Sequence, residues 1–190
     1  GLYSVRRSIA KSVTGNKLLF IEQNLDLGLT FSYEWTAADR FGWVRRAVLH
    51  NDTDQPIEVE LIDGLQNVMP SGVEQKTQNV FSTLVDAYKK TEQVPGTGMV
   101  LFRMEAILVD RAEPSESLRC NSIYTLGLHN AEYLTSSHQL DAFRKGETIV
   151  PEPESKGVRG AIFAHTKQTL TAGDSHTWYN ICDVMQDAAQ

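Results

Sequence analysis

The side chains best suited to chemistry lie between positions 43 and 67, where an aromatic ring, a guanidinium, a carboxylate and two amides follow one another. They are Trp43, Arg45, Asp63, Gln66 and Asn67. Aromatic rings bind the apolar C–H faces of sugars, while planar guanidinium, carboxylate and amide groups fix the hydroxyls by hydrogen bonds. This combination predicts carbohydrate binding, with Trp43 and Arg45 as the leading pair.

Two further tryptophans, Trp35 and Trp178, also lie in strand-like segments beside polar neighbours. Because a tryptophan at an inward strand position is more often core than binding surface, the core alternative stays open for all three. Asp63 has a comparable alternative. It stands where the alternation of its strand favours an aliphatic side chain, so it is more simply a buried carboxylate that accepts backbone N–H groups.

No familiar catalytic signature accompanies these residues. The five histidines are widely separated, at His50, His129, His138, His165 and His176. None forms the closely spaced pair that presents two nitrogens to one metal, and the sequence contains no GxSxG, P-loop or dinucleotide motif. The sequence therefore predicts no metal site, no cofactor and no activated nucleophile.

Paired carboxylates are the remaining enzymatic option, because glycoside cleavage uses one acid and one base or nucleophile. The residues that could supply such a pair are Asp63, Asp110, Glu113 and Glu116. The loop from 110 to 116 is interpreted first as a solvated charge run that pairs with Arg111. No catalytic residue is therefore predicted.

Composition narrows the class of protein. The 190 residues carry a net charge of −6, which gives no basic surface for nucleic acid, and no apolar run approaches the ~20 residues of a membrane span. Cys120 and Cys182 are interpreted as small core residues, with a disulfide possible only if their strands are neighbours. We expect one soluble β-sandwich domain over 1–190, cytoplasmic or periplasmic, that begins and ends abruptly as a piece of a longer protein would.

Alternating apolar residues predict the elements that position these side chains. At least six segments alternate with the period of a strand, which favours an all-β antiparallel sandwich of two sheets. The segment from Arg40 to Pro70 is predicted to be one long β-hairpin, with 40–50 paired to 56–66. The segment Pro151–Gly157 is predicted to be an exposed linker.

Helical spacing predicts one amphipathic helix from Asn79 to Lys90 and a short helix within Ser137–Lys145. The first helix carries more large apolar residues than one narrow stripe requires. This excess predicts an exposed apolar surface that contacts another part of the polypeptide or a second copy of the chain. The alternative is a monomer in which the polar loop from Ser71 to Gln78 buries both pairs, Val80 with Leu84 and Phe81 with Val85.

The run from Phe41 through DGLQNVMP, preceded by FSYEW and followed by LVDAYKK, resembles the N-terminal β-domain of large cellobiose-phosphorylase-like proteins. This resemblance implies a galactose-mutarotase-like β-supersandwich that is not itself the catalyst and that precedes a catalytic barrel of α-helical hairpins. The implied function is a non-catalytic domain of a glycoside phosphorylase or hydrolase, with that barrel and carbohydrate as its partners. Two alternatives stay open: a mutarotase-like epimerase, in which His50 or His165 would work with a carboxylate, and a stand-alone carbohydrate-binding module.

Overall fold

The chain folds mainly into antiparallel β-structure. The computed structural model describes residues 3–108 and 117–187, and these contain twelve strands and three short helices. The described strands form two sheets, one of nine strands and one of three. The predicted all-β, antiparallel, two-sheet class is confirmed.

Most strands in the described part of the chain follow one another directly, and the short helices fall between them. In chain order the elements are β1 (Val5–Lys11), β2 (Lys17–Asn24), β3 (Leu29–Ala37), β4 (Trp43–Asn51), β5 (Ile57–Val68), α1 (Gln75–Val80), α2 (Ser82–Ala87), β6 (Lys89–Gln93), β7 (Met99–Met104), β8 (Cys120–Leu126), β9 (Glu132–Leu134), α3 (Leu140–Arg144), β10 (Glu154–Lys156), β11 (Gly160–Leu170) and β12 (Ser175–Gln186). Within the described residues, no helix has the length and apolar composition needed to cross a bilayer.

The chain divides into two compact units. Unit 1 comprises the described parts of Gly1–Leu61, Thr125–Asn130 and Thr166–Cys182, and unit 2 comprises the described parts of Ile62–Tyr124, Ala131–His165 and Asp183–Gln190. The expectation of one β-sandwich domain over 1–190 stays a prediction.

Unit 1 is built on antiparallel strands in the order β1-β2-β3-β4-β12. Their register places Phe20, Tyr33, Ala47 and Trp178 side by side across β2, β3, β4 and β12. Side chains along a strand alternate between its two faces, so every second residue of β4 shares the face of Ala47. Arg45 and Trp43 therefore lie on the aromatic face of this sheet.

The predicted hairpin between the two halves of the 40–70 segment is wrong. β4 is hydrogen-bonded to β3 and β12, whereas β5 belongs to the three-stranded sheet. The buried side chain of Asn51 explains the difference. Its Nδ2 donates to the carbonyl of Gln55 at 2.7 Å and to that of Thr171 at 3.0 Å, so the turn after β4 is tied to the turn after β11. The chain therefore passes from one sheet to the other instead of folding back on β4.

Unit 2 contains strands in the order β8-β7-β6-β10 and a short antiparallel pairing of β9 with β11. Buried apolar residues of this unit include Val85, Val100, Phe102, Met104 and Ile123. A second apolar cluster joins Leu134, Ile149, Ala161 and Phe163, with Ile62, Leu140 and Phe143 packed against it. This second cluster fixes α3 against β5 and β11, and α3 confirms the short helix predicted within Ser137–Lys145.

The prediction of one helix from Asn79 to Lys90 is wrong. Phe81, with φ of −121° and ψ of 37°, separates α1 from α2, and the chain enters β6 at Lys89. Val85 is completely buried, whereas Phe81 is exposed. Apolar spacing alone does not distinguish one continuous helix from two short ones, because both bring residues three and four apart onto one side.

The segment Pro151–Gly157, predicted to be a linker, contains the strand β10. Ser155 is paired with Thr91 of β6, and the flanking residues pair through Glu154 and Lys156. Backbone hydrogen bonds form this strand, so it needs no alternation of apolar side chains. The polar sequence of β10 therefore gave no indication that this segment forms a strand.

Candidate functional site

Two of the predicted sugar-binding residues, Trp43 and Arg45, lie on one face of β4 in unit 1 but differ in exposure. Trp43 is 53% exposed and Arg45 is 5% exposed. The guanidinium carbon Cζ of Arg45 lies 4.5 Å from the ring centroid of Tyr33 and 5.9 Å from that of Phe31. These cation–π contacts stabilise the sheet face. A sugar-binding role for Trp43 and Arg45 stays a prediction.

Arg45 lies beside a row of aromatic rings that crosses unit 1. The row consists of Phe20, Tyr33, Phe31, Trp178, His176 and His129, with neighbouring centroids between 4.7 and 6.3 Å apart. Such distances are typical of stabilising aromatic pairs. Trp178 is 1% exposed, which favours the core interpretation for this tryptophan.

Asp63 and Gln66 contribute to an open cleft in unit 2 with a volume of about 370 Å³. The cleft is bordered by residues of β5, α3 and β11. Its lining residues are Ile62, Asp63, Gly64, Gln66, Leu140, Phe143, Arg144 and Phe163. The structure therefore brings two of the predicted site residues together with aromatic rings and a guanidinium.

The α3 wall of this cleft follows from the sequence of the helix. Leu140 and Phe143 are three residues apart, so they share one face, which packs against the apolar cluster around Phe163. Arg144 is the next residue, and its Nη1 donates to Oδ1 of Asp141 at 2.7 Å in an exposed ion pair. The helix thus presents a half-buried ring and a solvated cation at one cleft.

The β5 wall depends on the absence of a side chain at Gly64. A Cβ atom at this position would overlap the carbonyl group of Ile162 on β11. Gly64 therefore allows the two strands to approach closely. Asp63 beside it is half-buried, whereas Gln66 is exposed.

Asn67 does not line the cleft that holds Asp63 and Gln66. Its backbone is left-handed, with φ of 56°, and it lines a separate cleft with Lys89 and Arg159. Sequence reasoning missed Phe143 and Arg144 as cleft residues. The spacing of Leu140 and Phe143 predicted the helix, but no local pattern indicates which strand such a helix covers.

Two histidines named for the epimerase alternative each lie near a carboxylate. His50 Nε2 is 3.5 Å from Oδ1 of Asp52 in unit 1, and both side chains are partly exposed. His165 Nδ1 is 3.5 Å from Oε2 of Glu132 in unit 2. The His165 ring also meets the Phe143 ring edge-on, with centroids 6.0 Å apart. His165 is therefore next to a residue that lines the cleft.

The remaining predicted carboxylates, Asp110, Glu113 and Glu116, lie outside the described residues. Within residues 3–108 and 117–187, no three His, Cys, Asp or Glu side chains are grouped closely enough to hold a metal ion.

Comparison with known proteins gives no family assignment. No protein-family model and no curated protein matches the chain. A solved structure of a heparinase III with methylated lysines aligns with 98% of this chain at a TM-score of 0.47 and 9% identity. The chain spans 22% of the length of that protein. At this identity and score the likeness carries no functional argument, and the resemblance to cellobiose-phosphorylase-like proteins stays a prediction.

Proposed function

We propose that this chain is a non-catalytic, carbohydrate-binding β-domain of a glycoside phosphorylase or hydrolase, where it supports a separate helical-barrel catalytic domain. The observation that carries the proposal is the cleft of unit 2, in which Asp63, Gln66 and Arg144 border the ring of Phe143. A carboxylate, an amide and a guanidinium therefore line the same cleft as two aromatic rings, Phe143 and Phe163.

This combination matches the chemistry of a sugar. A pyranose presents an apolar C–H face, which packs on an aromatic ring such as Phe143, and a rim of hydroxyls that both donate and accept hydrogen bonds. The carboxylate of Asp63 accepts, the guanidinium of Arg144 donates, and the amide of Gln66 does both. The cleft volume of about 370 Å³ lies within the range of ~300–1,000 Å³ that small-molecule sites occupy.

An apolar patch formed by α1, α2 and the residues that flank α2 supports the proposed partner domain. Its members are Val80, Phe81, Leu84 and Tyr88, each between 39% and 62% exposed. Contiguous exposed apolar side chains mark interaction surfaces, and interfaces between domains of one chain bury ~600–1,500 Å². A second copy of the chain is the alternative occupant.

A mutarotase-like epimerase is the second candidate, and the pair of His165 and Glu132 favours it. An imidazole near a carboxylate can act as a general acid or base, and His165 contacts the ring of Phe143, which lines the cleft. Anomerisation needs one group to protonate the ring oxygen and one to deprotonate the anomeric hydroxyl. The two candidates therefore differ in whether the cleft residues turn over a sugar or only bind it.

Binding is tested by calorimetric titration of the chain with cellobiose and related neutral oligosaccharides. We expect the variants Arg144→Ala and Gln66→Ala to bind about 10-fold more weakly or worse, since each loses hydrogen bonds to the ligand. Gln55→Ala, an exposed glutamine in unit 1, is the matched control and should bind as the wild type does. Equal affinity of all four proteins would contradict the assignment of the cleft.

Turnover is tested on aryl glycosides, on cellobiose with phosphate, and on sugar anomers followed by NMR. We expect no rate above the uncatalysed background. Hydrolysis or phosphorolysis that disappears in Asp63→Asn would contradict a non-catalytic role. Anomerisation that disappears in His165→Gln but survives in His50→Gln would establish the epimerase instead.

A further inference from the structure

A second cleft in unit 2, about 390 Å³ in volume, differs in character from the one proposed for sugars. Its lining residues are Asn67, Met69, Gln78, Asn79, Ser82, Lys89 and Arg159. Six of these seven side chains are polar, and the two charged ones are both cations. This cleft therefore presents hydrogen-bond donors and positive charge, which suit a different ligand from a neutral sugar.

Lys89 is the buried cation of this cleft, with only 3% of its surface exposed. Its Nζ donates to Oε1 of Gln78 at 2.6 Å and to Oδ1 of Asp86 at 2.7 Å. An ammonium group has three hydrogens to donate. No third acceptor for Nζ lies within hydrogen-bond distance among the described residues, and Lys89 lines the cleft, so its third ammonium hydrogen is available to a ligand there.

Asp86 holds both cations in place. Its Oδ1 accepts from Lys89, and its Oδ2 lies 3.3 Å from Nε of Arg159. Burial raises the pKa of Asp86, but hydrogen bonds from Lys89 and Gln78, the charge of Lys89 and the contact with Arg159 outweigh burial and hold that pKa below its usual value. Asp86 is therefore ionised at neutral pH, and one negative charge faces two positive ones.

The charge balance leaves one positive charge in surplus at the cleft. Removing a charged group from water is costly unless it gains a partner of opposite charge. The side chain of Arg159 is 54% exposed, and its two Nη groups have no acceptor among the described residues. The amides of Asn67 and Asn79 and the hydroxyl of Ser82 add neutral donors around the same space.

We propose that this cleft binds a small oxyanion, namely a sulfate, phosphate or carboxylate group, either free or carried on a sugar. The unused N–H of Lys89 and the Nη groups of Arg159 supply charge-assisted hydrogen bonds to the oxygens, which are the strong kind. Asp86 acts as a positioning residue, because it orients both cations without contacting the anion. The oxyanion cleft shares no lining residue with the cleft proposed to bind a sugar, so the two sites can be tested separately.

A purely structural network is the competing explanation. In that case Lys89, Gln78 and Asp86 serve only to attach the helices α1 and α2 to β6, and the cleft contains water alone. The two explanations differ in one observable, since only an oxyanion site gives saturable anion binding that depends on Arg159.

The test is a titration of the chain with sodium phosphate and sodium sulfate, followed by calorimetry and by amide chemical shifts, at constant ionic strength set with sodium chloride. Because Lys89 is buried, replacing it would destabilise the fold as well as remove a positive charge. The exposed Arg159 is therefore the residue to change. We expect Arg159→Gln to weaken the binding of phosphate or sulfate about 10-fold or more. Arg7→Gln is the matched control, because Arg7 also forms one exposed ion pair, with Glu22 at 2.6 Å.

Sugar-bound anions are distinguished by glucose 6-phosphate and glucuronate, with glucose as the neutral control. Tighter binding of either anionic sugar than of the free anions, again lost in Arg159→Gln, would assign the site to an anion carried on a sugar. Failure of all four anions to saturate, or equal binding to wild type and Arg159→Gln, would overturn the proposal. None of these outcomes depends on whether cellobiose binds at the other cleft.

Discussion

The guanidinium of Arg45 lies over the ring of Tyr33, with Cζ 4.5 Å from the ring centroid. Arg45 is on β4 and Tyr33 on the neighbouring strand β3 of unit 1. A cation in this position gains from the negative face of the ring, and it gains more where water is excluded. Arg45, one member of the leading pair predicted to bind a sugar, is therefore already in contact with an aromatic ring of its own sheet.

Replacing Arg45 should lower the free energy of unfolding. We expect Arg45→Met to cost about 1–3 kcal/mol, because it removes the cation–π contacts while keeping most of the apolar stem. Arg46→Met is the matched control, since Arg46 is exposed on the opposite face of the same strand, and it should change stability by about 0.5 kcal/mol or less. Urea denaturation measures both. Equal effects of the two changes would contradict the role assigned to Arg45.

The side chain of Asn51 should be a main determinant of unit 1 stability. It is completely buried, and besides its bonds to Gln55 and Thr171 its Oδ1 accepts from the backbone N–H and the hydroxyl of Thr53 at 3.0 and 2.8 Å. We expect Asn51→Ala to cost about 2–4 kcal/mol, because several buried groups lose their partners at once. Asp54→Ala, an exposed change in the same turn, should be nearly neutral in thermal unfolding. A loss in Asp54→Ala as large as in Asn51→Ala would refute this explanation.

Cys182 should react slowly with thiol reagents. Both cysteines are free and half-buried, and burial raises the pKa of Cys182 to about 11 although the charge of Arg45 opposes the rise. At pH 8 only about one thiol in a thousand is then a thiolate, which is the reactive form. We expect alkylation of Cys182 in a Cys120→Ser variant to accelerate about tenfold per pH unit up to that pKa. A plateau near pH 8.5, where a free cysteine titrates, would contradict the raised pKa.

The ion pairs of Glu92 should make stability depend on pH in the acid range. Its Oε2 lies 3.1 Å from Nζ of Lys90 and 3.3 Å from Nη2 of Arg103. Burial raises the pKa of Glu92, but these two cations outweigh burial and hold the pKa below the ordinary 4.5. The stabilisation is therefore fully present above pH 4.5 and is lost as the pH falls through the lower folded-state value.

Glu92→Gln should consequently lower the free energy of unfolding at pH 7, by about 1 kcal/mol or less because the side chain is partly exposed. The difference between variant and wild type should shrink as the pH falls below 4.5. Glu58→Gln is the control, since Glu58 is exposed and forms no ion pair with any described residue. A difference that stays constant down to pH 2 would exclude the charge of Glu92 as its cause.

The apolar patch on α1 and α2 should mediate association of the isolated chain. We expect Phe81→Ser combined with Leu84→Ser to reduce self-association in light scattering while the circular dichroism spectrum is retained, because both side chains are exposed. Val85→Ser should instead unfold the unit, since Val85 is completely buried. A wild type that is monomeric at every concentration, with a double variant that unfolds, would show that Phe81 and Leu84 are core residues.

The sequence predicted an element correctly where its local pattern of apolar residues is compatible with only one type of secondary structure. The alternation of Leu29, Phe31, Tyr33 and Trp35 predicted β3, and the spacing of Leu140 and Phe143 predicted α3. Strands made of polar residues were not predicted. β10 forms on Glu154–Lys156 through its backbone alone, and no pattern of side chains reports a partner strand that lies more than 60 residues away in the chain, at Lys90–Glu92.

For the candidate sites, too, the sequence gives the types of residue, whereas only the fold shows which of them lie together. The sequence by itself determined an all-β chain and singled out Asp63 and Gln66 as candidate carbohydrate-binding residues, because residue type and alternation are local properties. Only the tertiary structure decided that Arg144 and Phe143 join them, that Asn67 belongs to another cleft, and that Lys89 and Arg159 share Asp86. The physical reason is that β4 and β5 belong to different sheets, and the buried side chain of Asn51 fixes the turn between them. Asn51 does so partly through a hydrogen bond to the carbonyl of Thr171, 120 residues further along the chain, and no local sequence pattern reveals such a contact.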